Sequence, residues 1–486
     1  MKEGSGAFLG IDLGTTNIKA QVVEEDGTIV SSGSAPVDIQ YSSDGAAEQD
    51  IGEIWTATCA AVSQACASGA GERVRAVGIS SQGGALQVLD SGGRPVGRVI
   101  GWQDSRGAPW DRELSARLGS AWCTRHTGYP RTTSAVGQLL RLGGRGDLPR
   151  GYRVGWVGDV IVGRLCGRRA HDGTSLSEAC LFNPGEGTED HELLGELGLT
   201  RERLPDLLSV DQSAGGLLPE VSRSLLLPDG VPIGPAVHDQ YAASTGCGAV
   251  HSGDTMLGAG TAWVLLAVTD TLQPPVGGVA LVGRHPVHGR FGQMLSMVNG
   301  GACITWAAKA LNLGSPGIVE IDELLRSVPA GSAGLRFRPL LSEVGGAGLP
   351  PGSAGRLDGL RLNHTHGHIM RALIEGLACE LGRYVRLMDA GGVEVKRLVM
   401  CGKAAASTVT PCVIADTTGL PVDCVMSPET SSLGAAILAR GLVERGMSLE
   451  ALAESMKPSV RRVEPGPGRA AAGALLDEYI DSWRQR

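Results

Sequence analysis

The sequence predicts an α/β protein of two halves, and three observations carry that reading. The chain has 486 residues, too many for one ordinary core, so two domains are expected. Strand, helix and strand alternate through its first part, which indicates an α/β arrangement. A Gly/Thr turn between apolar strands occurs twice, after Asp12 and after Leu257. That repetition points to an internal duplication.

The first turn lies in Leu9-Gly10-Ile11-Asp12-Leu13-Gly14-Thr15-Thr16-Asn17-Ile18-Lys19-Ala20. An apolar strand runs into Asp12, bends through residues 13–16 and resumes from Ile18 to Val23. Gly14 permits a tight hairpin and lets backbone N–H groups approach an anion. Thr15 and Thr16 add hydroxyl donors, and a carboxylate at the strand end suits a hydrated magnesium ion beside phosphates.

Bulk properties narrow the function. Net charge is −8, with no basic block, which argues against nucleic acid or an anionic membrane as partner. No apolar run approaches the ~18 residues that span a bilayer. The eleven cysteines are scattered without a C-x-x-C pair. They read as reduced, mostly buried side chains, and with no signal peptide at the start they place the expected enzyme in the cytoplasm.

Further along, residues 30–50 read as polar and irregular until Asp50 opens a helix, with Ile51, Trp55, Cys59, Val62 and Cys66 as its buried stripe. Val74–Ile79 and Ala85–Leu89 read as strands. Gln82, Gly83, Trp102, Gln103, Asp104 and Arg106 fall at or just beyond strand ends, where open α/β sheets hold ligands. A tryptophan face with amide and carboxyl groups suits a polyhydroxylated molecule, while a core Trp102 with an Asp104–Arg106 ion pair is the plain alternative. Residues 136–145 and 154–165 read as helices, and 172–183 as a loop entering a short strand. At His238-Asp239-Gln240 a short strand meets a helix rich in small residues. Asp239 there is either a helix cap or a general base.

The second turn is Leu257-Gly258-Ala259-Gly260-Thr261-Ala262-Trp263. Residues 342–356 form a glycine-rich loop, and a long helix follows from about His364 to Met388. His364, His366 and His368 lack the spacing of a zinc site. Cys401-Gly402-Lys403-Ala404 follows a strand but is no Walker loop, because Ala404 stands where Ser or Thr is needed. A turn of small residues there still lets an adenine or ribose lie against the backbone. The strand from Val422 reads as a sheet edge, residues 432–439 as a close-packing helix and Ala470–Trp483 as a closing helix.

Taken together, GIDLGTTNIKA, GISSQGGALQVLD, GWQDSR, DGTSLSEACLFN, VHDQYAASTGCG, LGAGTAWVLL, ADTTGLPV and ETSSLGAAILA resemble the FGGY family of carbohydrate kinases. That family, which includes xylulose and glycerol kinases, lies in the actin/hexokinase/heat-shock-chaperone ATPase superfamily. The resemblance implies two ribonuclease-H-like domains with an interdomain cleft, over residues 1–246 and 247–486. ATP would lie mainly on the second domain and a sugar or polyol on the first. Asp12 would match the magnesium-linked aspartate, with Gly14, Thr15 and Thr16 near the transferred phosphate. Asp239 would match the catalytic base, with Gln240 beside it at the substrate. Gly260 and Thr261 would form the second phosphate turn, and Gly402, Lys403 and Ala404 the adenosine turn. Gln82, Gly83, Trp102 and Asp104 fall where the family lines its sugar pocket. The resemblance leaves a homodimer open.

Three departures stand out. Gly83-Gly84 follows Gln82 where many xylulose kinases carry Met-His and glycerol kinases Arg-Glu. The side chains that grip those acceptors are missing, and the gap is expected to admit a bulkier sugar. Lys403 replaces a second glycine, and Val344 stands after Glu343 where the family has an arginine. The expected activity is ATP-dependent phosphorylation of a sugar or polyol hydroxyl, a xylulose-like ketose being favoured. The alternatives are a chaperone-type ATPase, against which the polar 82–106 segment argues, and a degenerate kinase that senses sugar.

Overall fold

The computed structural model describes residues 6–133, 135–342, 348–349, 352–427 and 429–484. The glycine-rich loop expected over 342–356 lies partly outside these, and so does the Glu343–Val344 departure.

Two large mixed sheets organise the described residues. In the first, Ile29–Pro36, Asn17–Glu24 and Ala7–Leu13 pair antiparallel, and Val74–Ser81 and Pro232–His238 then add in parallel on the other side of Ala7–Leu13. In the second, Trp263–Thr269 and Asp254–Ala259 form the antiparallel pair, and Arg397–Cys401 and Val422–Val425 add in parallel. The order hairpin, then parallel strands, is thus repeated, as the two Gly/Thr turns predict. Each sheet has its own apolar core, one around Leu9, Ile11, Ile54 and Ile79, the other around Leu265, Leu373, Leu377 and Leu398. A smaller sheet that includes Leu86–Leu89 and Pro95–Ile100 flanks the first.

The Thr430–Val443 helix crosses to the first half. It packs on Ala7–Leu13, on Val74–Ser81 and on the Asp239–Gly246 helix. Small residues allow backbone-to-backbone approach. A Cβ on Gly10 would fall 1.8 Å from the Ser432 carbonyl oxygen, and one on Gly434 would fall 1.8 Å from that of Ala242.

Several local expectations change. Residues 29–36 are a strand whose buried side is Gly33 and Ala35, too small to register as hydrophobic alternation. In the Ile51–Cys66 helix, Ile54, Ala57, Ala61 and Ala65 are buried, whereas Trp55 and Cys59 lie at the margin of the core. Residues 153–156 are a strand, and the helix begins at Val157. Val422–Val425 is not an edge, because Val460–Val463 pairs beyond it. The stretch after Asp172 holds a helical segment, Gly173–Glu178, capped by the Asp172 carboxylate on the Thr174 and Ser175 N–H groups.

Candidate active site

Candidate site residues of the first half collect at the C-terminal ends of three neighbouring parallel strands. Asp12 pairs with Ser80, Ser80 with Val237 and Ser81 with His238 in the sheet register. The turn at 14–16, Gln82 and Asp239 leave those ends side by side, where such sheets expose their ligand sites.

Asp12 is nearly enclosed, and the Ser80 hydroxyl donates to its Oδ1 at 2.7 Å. Burial and then the neighbouring Asp239 carboxylate push its pKa up to about 6, against the pull of Ser80 and Lys19. Lys19 itself pairs with Glu429 on the far side. Asp239 is the first residue of its helix, while His238 holds the cap position, so the Asp239 carboxylate is not consumed as a cap. Gln240 Nε2 donates to its Oδ1 at 3.2 Å, and His238 Nε2 lies 3.3 Å from the same oxygen. The side chain remains 27 % exposed. Burial raises its pKa to about 6 in spite of the Gln240 hydrogen bonds. Gln240 Oε1 reaches the second half, 3.4 Å from the point a Cβ on Gly258 would occupy.

A hydrogen-bonded chain braces the first turn. Thr15 Oγ1 donates to Gln82 Oε1 at 3.2 Å and accepts from Trp102 Nε1 at 3.1 Å. Gln49 Nε2 donates to the Thr15 carbonyl, and Gln82 Nε2 donates to Gln49 Oε1. Thr16 stays exposed at the tip. Trp102 is 50 % exposed, so it is no core residue.

Two expected sugar contacts turn inward. Gln82 is 4 % exposed and engaged at both ends of its amide. The Asp104 carboxylate is sealed, accepting from Arg106, from the Ala47 N–H and from Gln138 Nε2. Burial pushes the Asp104 pKa up, but the hydrogen bonds from Arg106 and Ala47 hold it below the ordinary value. In this structure the polar groups of both residues are engaged by protein partners. The gap expected at Gly83 is filled as well. A Cβ there would fall 2.4 Å from Glu178 Cγ and 2.6 Å from His238 Cδ2, so these two side chains occupy the room beside Gly83. Gly84 has φ +70°, which glycine adopts without strain.

On the second half, Gly260 and Thr261 are exposed at the turn, and their carbonyls accept from the Gly301 and Ala302 N–H groups. A Cβ on Gly260 would meet nothing nearer than 3.8 Å, which leaves a backbone surface open to a ligand. Gly402, with φ +87°, ends the neighbouring parallel strand, packed so tightly on Ala259 that a Cβ would fall 2.9 Å from its carbonyl oxygen. Lys403 is exposed and Ala404 half-buried beside it.

Residues 7–246 match the model of the FGGY carbohydrate kinases' N-terminal domain, and residues 256–440 match that of the C-terminal domain. The chain belongs to the FGGY family of carbohydrate kinases. It is therefore a kinase, a phosphotransferase with an alcohol group as acceptor, and ATP is the phosphate donor of this family. Glycerol kinase from Gloeobacter violaceus is 30 % identical over 462 residues, covering 90 % of this chain and 88 % of the relative. Glycerol kinase from Thermus brockianus is also 30 % identical, covering 91 % of each chain. The crystal structure of xylulose kinase from Rhodospirillum rubrum superposes with a TM-score of 0.87 at 23 % identity, covering 98 % of this chain and 97 % of that one. The superposition shows that this chain shares the fold of that kinase over nearly its whole length.

Ser80, Gln49, Glu178 and His238 escape the sequence reading. Ser80 has a signal, a polar residue next to the end of an apolar strand. Glu178 has little, because the Asp172–Ser175 cap lacks the Glu or Gln that marks a capping box.

Proposed function

We propose that this kinase transfers the γ-phosphoryl group of ATP to a hydroxyl of a small uncharged sugar or polyol, a xylulose-like ketose being the favoured acceptor, with Asp239 as general base. The observation that supports this most is the placing of Asp12 and Asp239 at the ends of the two strands that flank Val74–Ser81, each pushed up to about 6. Phosphoryl transfer asks mainly for positioning and charge neutralisation. Asp239 accepts the proton of the attacking hydroxyl, and its raised proton affinity brings it nearer the operating pH of such a base. Gln240 and His238 hold that carboxylate in place. The backbone of Gly14–Thr16 and of Gly260–Thr261 grips the phosphates, and Gly402, Lys403 and Ala404 lie against the adenosine. Trp102 covers the C–H face of the acceptor.

The donor set fits magnesium. Among the described residues no three His, Cys, Asp or Glu side chains gather into a cage. A magnesium ion takes one or two carboxylates and completes its shell with water and phosphate. Asp12, with Oδ1 fixed by Ser80, would hold it through water, and the bound ion would neutralise charge on the phosphates. The cysteines among the described residues are free thiols, which supports a cytoplasmic setting. Asp239→Asn is expected to lower phosphorylation of the best acceptor about a thousandfold, with ATP binding unchanged by calorimetry. Product formation at the wild-type rate, read by mass spectrometry, would remove Asp239 from this role.

A further inference from the structure

Beside the proposed base stands a carboxylate that phosphoryl transfer itself does not require. Glu178 ends the Gly173–Glu178 helix, and that helix is pinned to the Pro232–His238 strand. The Thr174 hydroxyl accepts from the His238 N–H at 2.9 Å, and the Ser175 hydroxyl donates to the Ala236 carbonyl at 3.1 Å. The pinned helix sets Glu178 against the backbone of Gly83, where it shares the space with the His238 ring. Glu178 Oε2, His238 Nδ1 and Tyr241 Oη are buried without a hydrogen-bond partner among the described residues. Burial raises the Glu178 pKa, His238 beside it lowers it, and the Asp239 carboxylate raises it again. A structural carboxylate is normally paired when enclosed. This one is kept unpaired next to Asp239, with part of the residue still reachable.

We propose that Glu178 selects the acceptor: it takes a hydrogen bond from a hydroxyl of an uncharged polyol or ketose whose reacting hydroxyl lies at Asp239, and it turns away anionic acceptors such as aldonates. A carboxyl oxygen accepts a hydrogen bond, so it suits a ligand that presents hydroxyl donors. The Asp239 carboxylate acts on both Asp12 and Glu178, and a carboxylate-bearing ligand beside it meets like charge. His238 fixes the wall from the other side. The inference rests on the kinase reading for the identity of the reaction, but not for the binding itself.

The test combines calorimetry with steady-state kinetics on the full-length wild type and on Glu178→Gln, using D-xylulose, xylitol and gluconate as probes. The variant should bind the better neutral probe at least tenfold more weakly and show a KM raised by the same factor. Its kcat should stay within threefold, the KM for ATP should not move, and discrimination against gluconate should narrow at least tenfold. Glu178→Ala, which removes the carboxyl and leaves His238 and Asp239 in place, should give the same change and serves if Glu178→Gln fails to fold. Unchanged neutral binding together with an unchanged gluconate ratio in either folded variant overturns the assignment, and so does a wild-type protein that binds none of the probes. If the wild type binds xylulose or xylitol without phosphorylating it, and Glu178→Gln weakens that binding, the proposed xylulose-like acceptor falls and the role of Glu178 stands.

Discussion

Asp12 and Asp239 illustrate how burial tunes single residues. Both carboxyls hold their proton more strongly in the folded chain than in the unfolded one, at about 6 against an ordinary value of 3.8. The base works only when ionised, so kcat/KM should rise with pH and level off above an apparent pKa of about 6; a profile flat from pH 5 to 8 would exclude Asp239. Stability runs the other way. A raised folded pKa favours the folded state at low pH, and this contribution is lost as pH rises through about 6. Asp12→Asn should therefore inactivate the enzyme yet stabilise the ligand-free protein at pH 7.5 by roughly 1–3 kcal/mol, as read by urea denaturation. At this scale position is legible where spacing along one strand decides it: Asp12, Thr16, Asp239 and Gly260 all lie at turns or strand ends. Orientation is not, as Gln82 and Asp104 show. Strand-end position can be read from a sequence, but whether a side chain turns to the cleft or to Gln49 and Arg106 depends on partners far away in the chain.

At the scale of elements, the seam between the Asp239–Gly246 and Thr430–Val443 helices carries the clearest consequence. A Cβ on Gly246 would fall 2.0 Å from the Thr430 carbonyl oxygen, and one on Gly434 would meet Ala242 from the opposite side. Both positions touch backbone, which cannot turn aside as a side chain can. Gly434→Leu should therefore cost about 3 kcal/mol or more of unfolding free energy, whereas Gly473→Ala, in open space on the closing helix, should cost nothing measurable. The small-residue composition of 432–439 is visible in the sequence and announces close packing. Its partner is not visible, because the helix follows a strand of the second sheet and yet packs on the first.

For the whole molecule, the duplicated sheet order places two glycine-bearing turns on opposing halves. Gln240 already spans from one to the other at Gly258. The halves meet backbone against backbone along that seam, so relative motion is expected to be a small shear there rather than a loop hinge. Small-angle scattering should give a smaller radius of gyration with a non-hydrolysable ATP analogue and acceptor together than with either alone; no change with both would mean that the cleft is already closed. The duplication was readable because both turns keep their glycine and threonine. The extra strands of the flanking sheet were hidden, since segments such as Gln40–Tyr41 and Ala47–Gln49 are too short to set up a periodicity.

The packing around Gly83 bears on how such an enzyme changes its preferences over time. With the room at 83 taken by residues 178 and 238, a larger side chain is tolerated there only after both of those have given way. A route toward a bulkier residue at 83 must therefore begin with changes at distant loci, and the same replacements in reverse order pass through a strained intermediate. Neighbouring genotypes are reachable from this one along one ordering of steps and not the other.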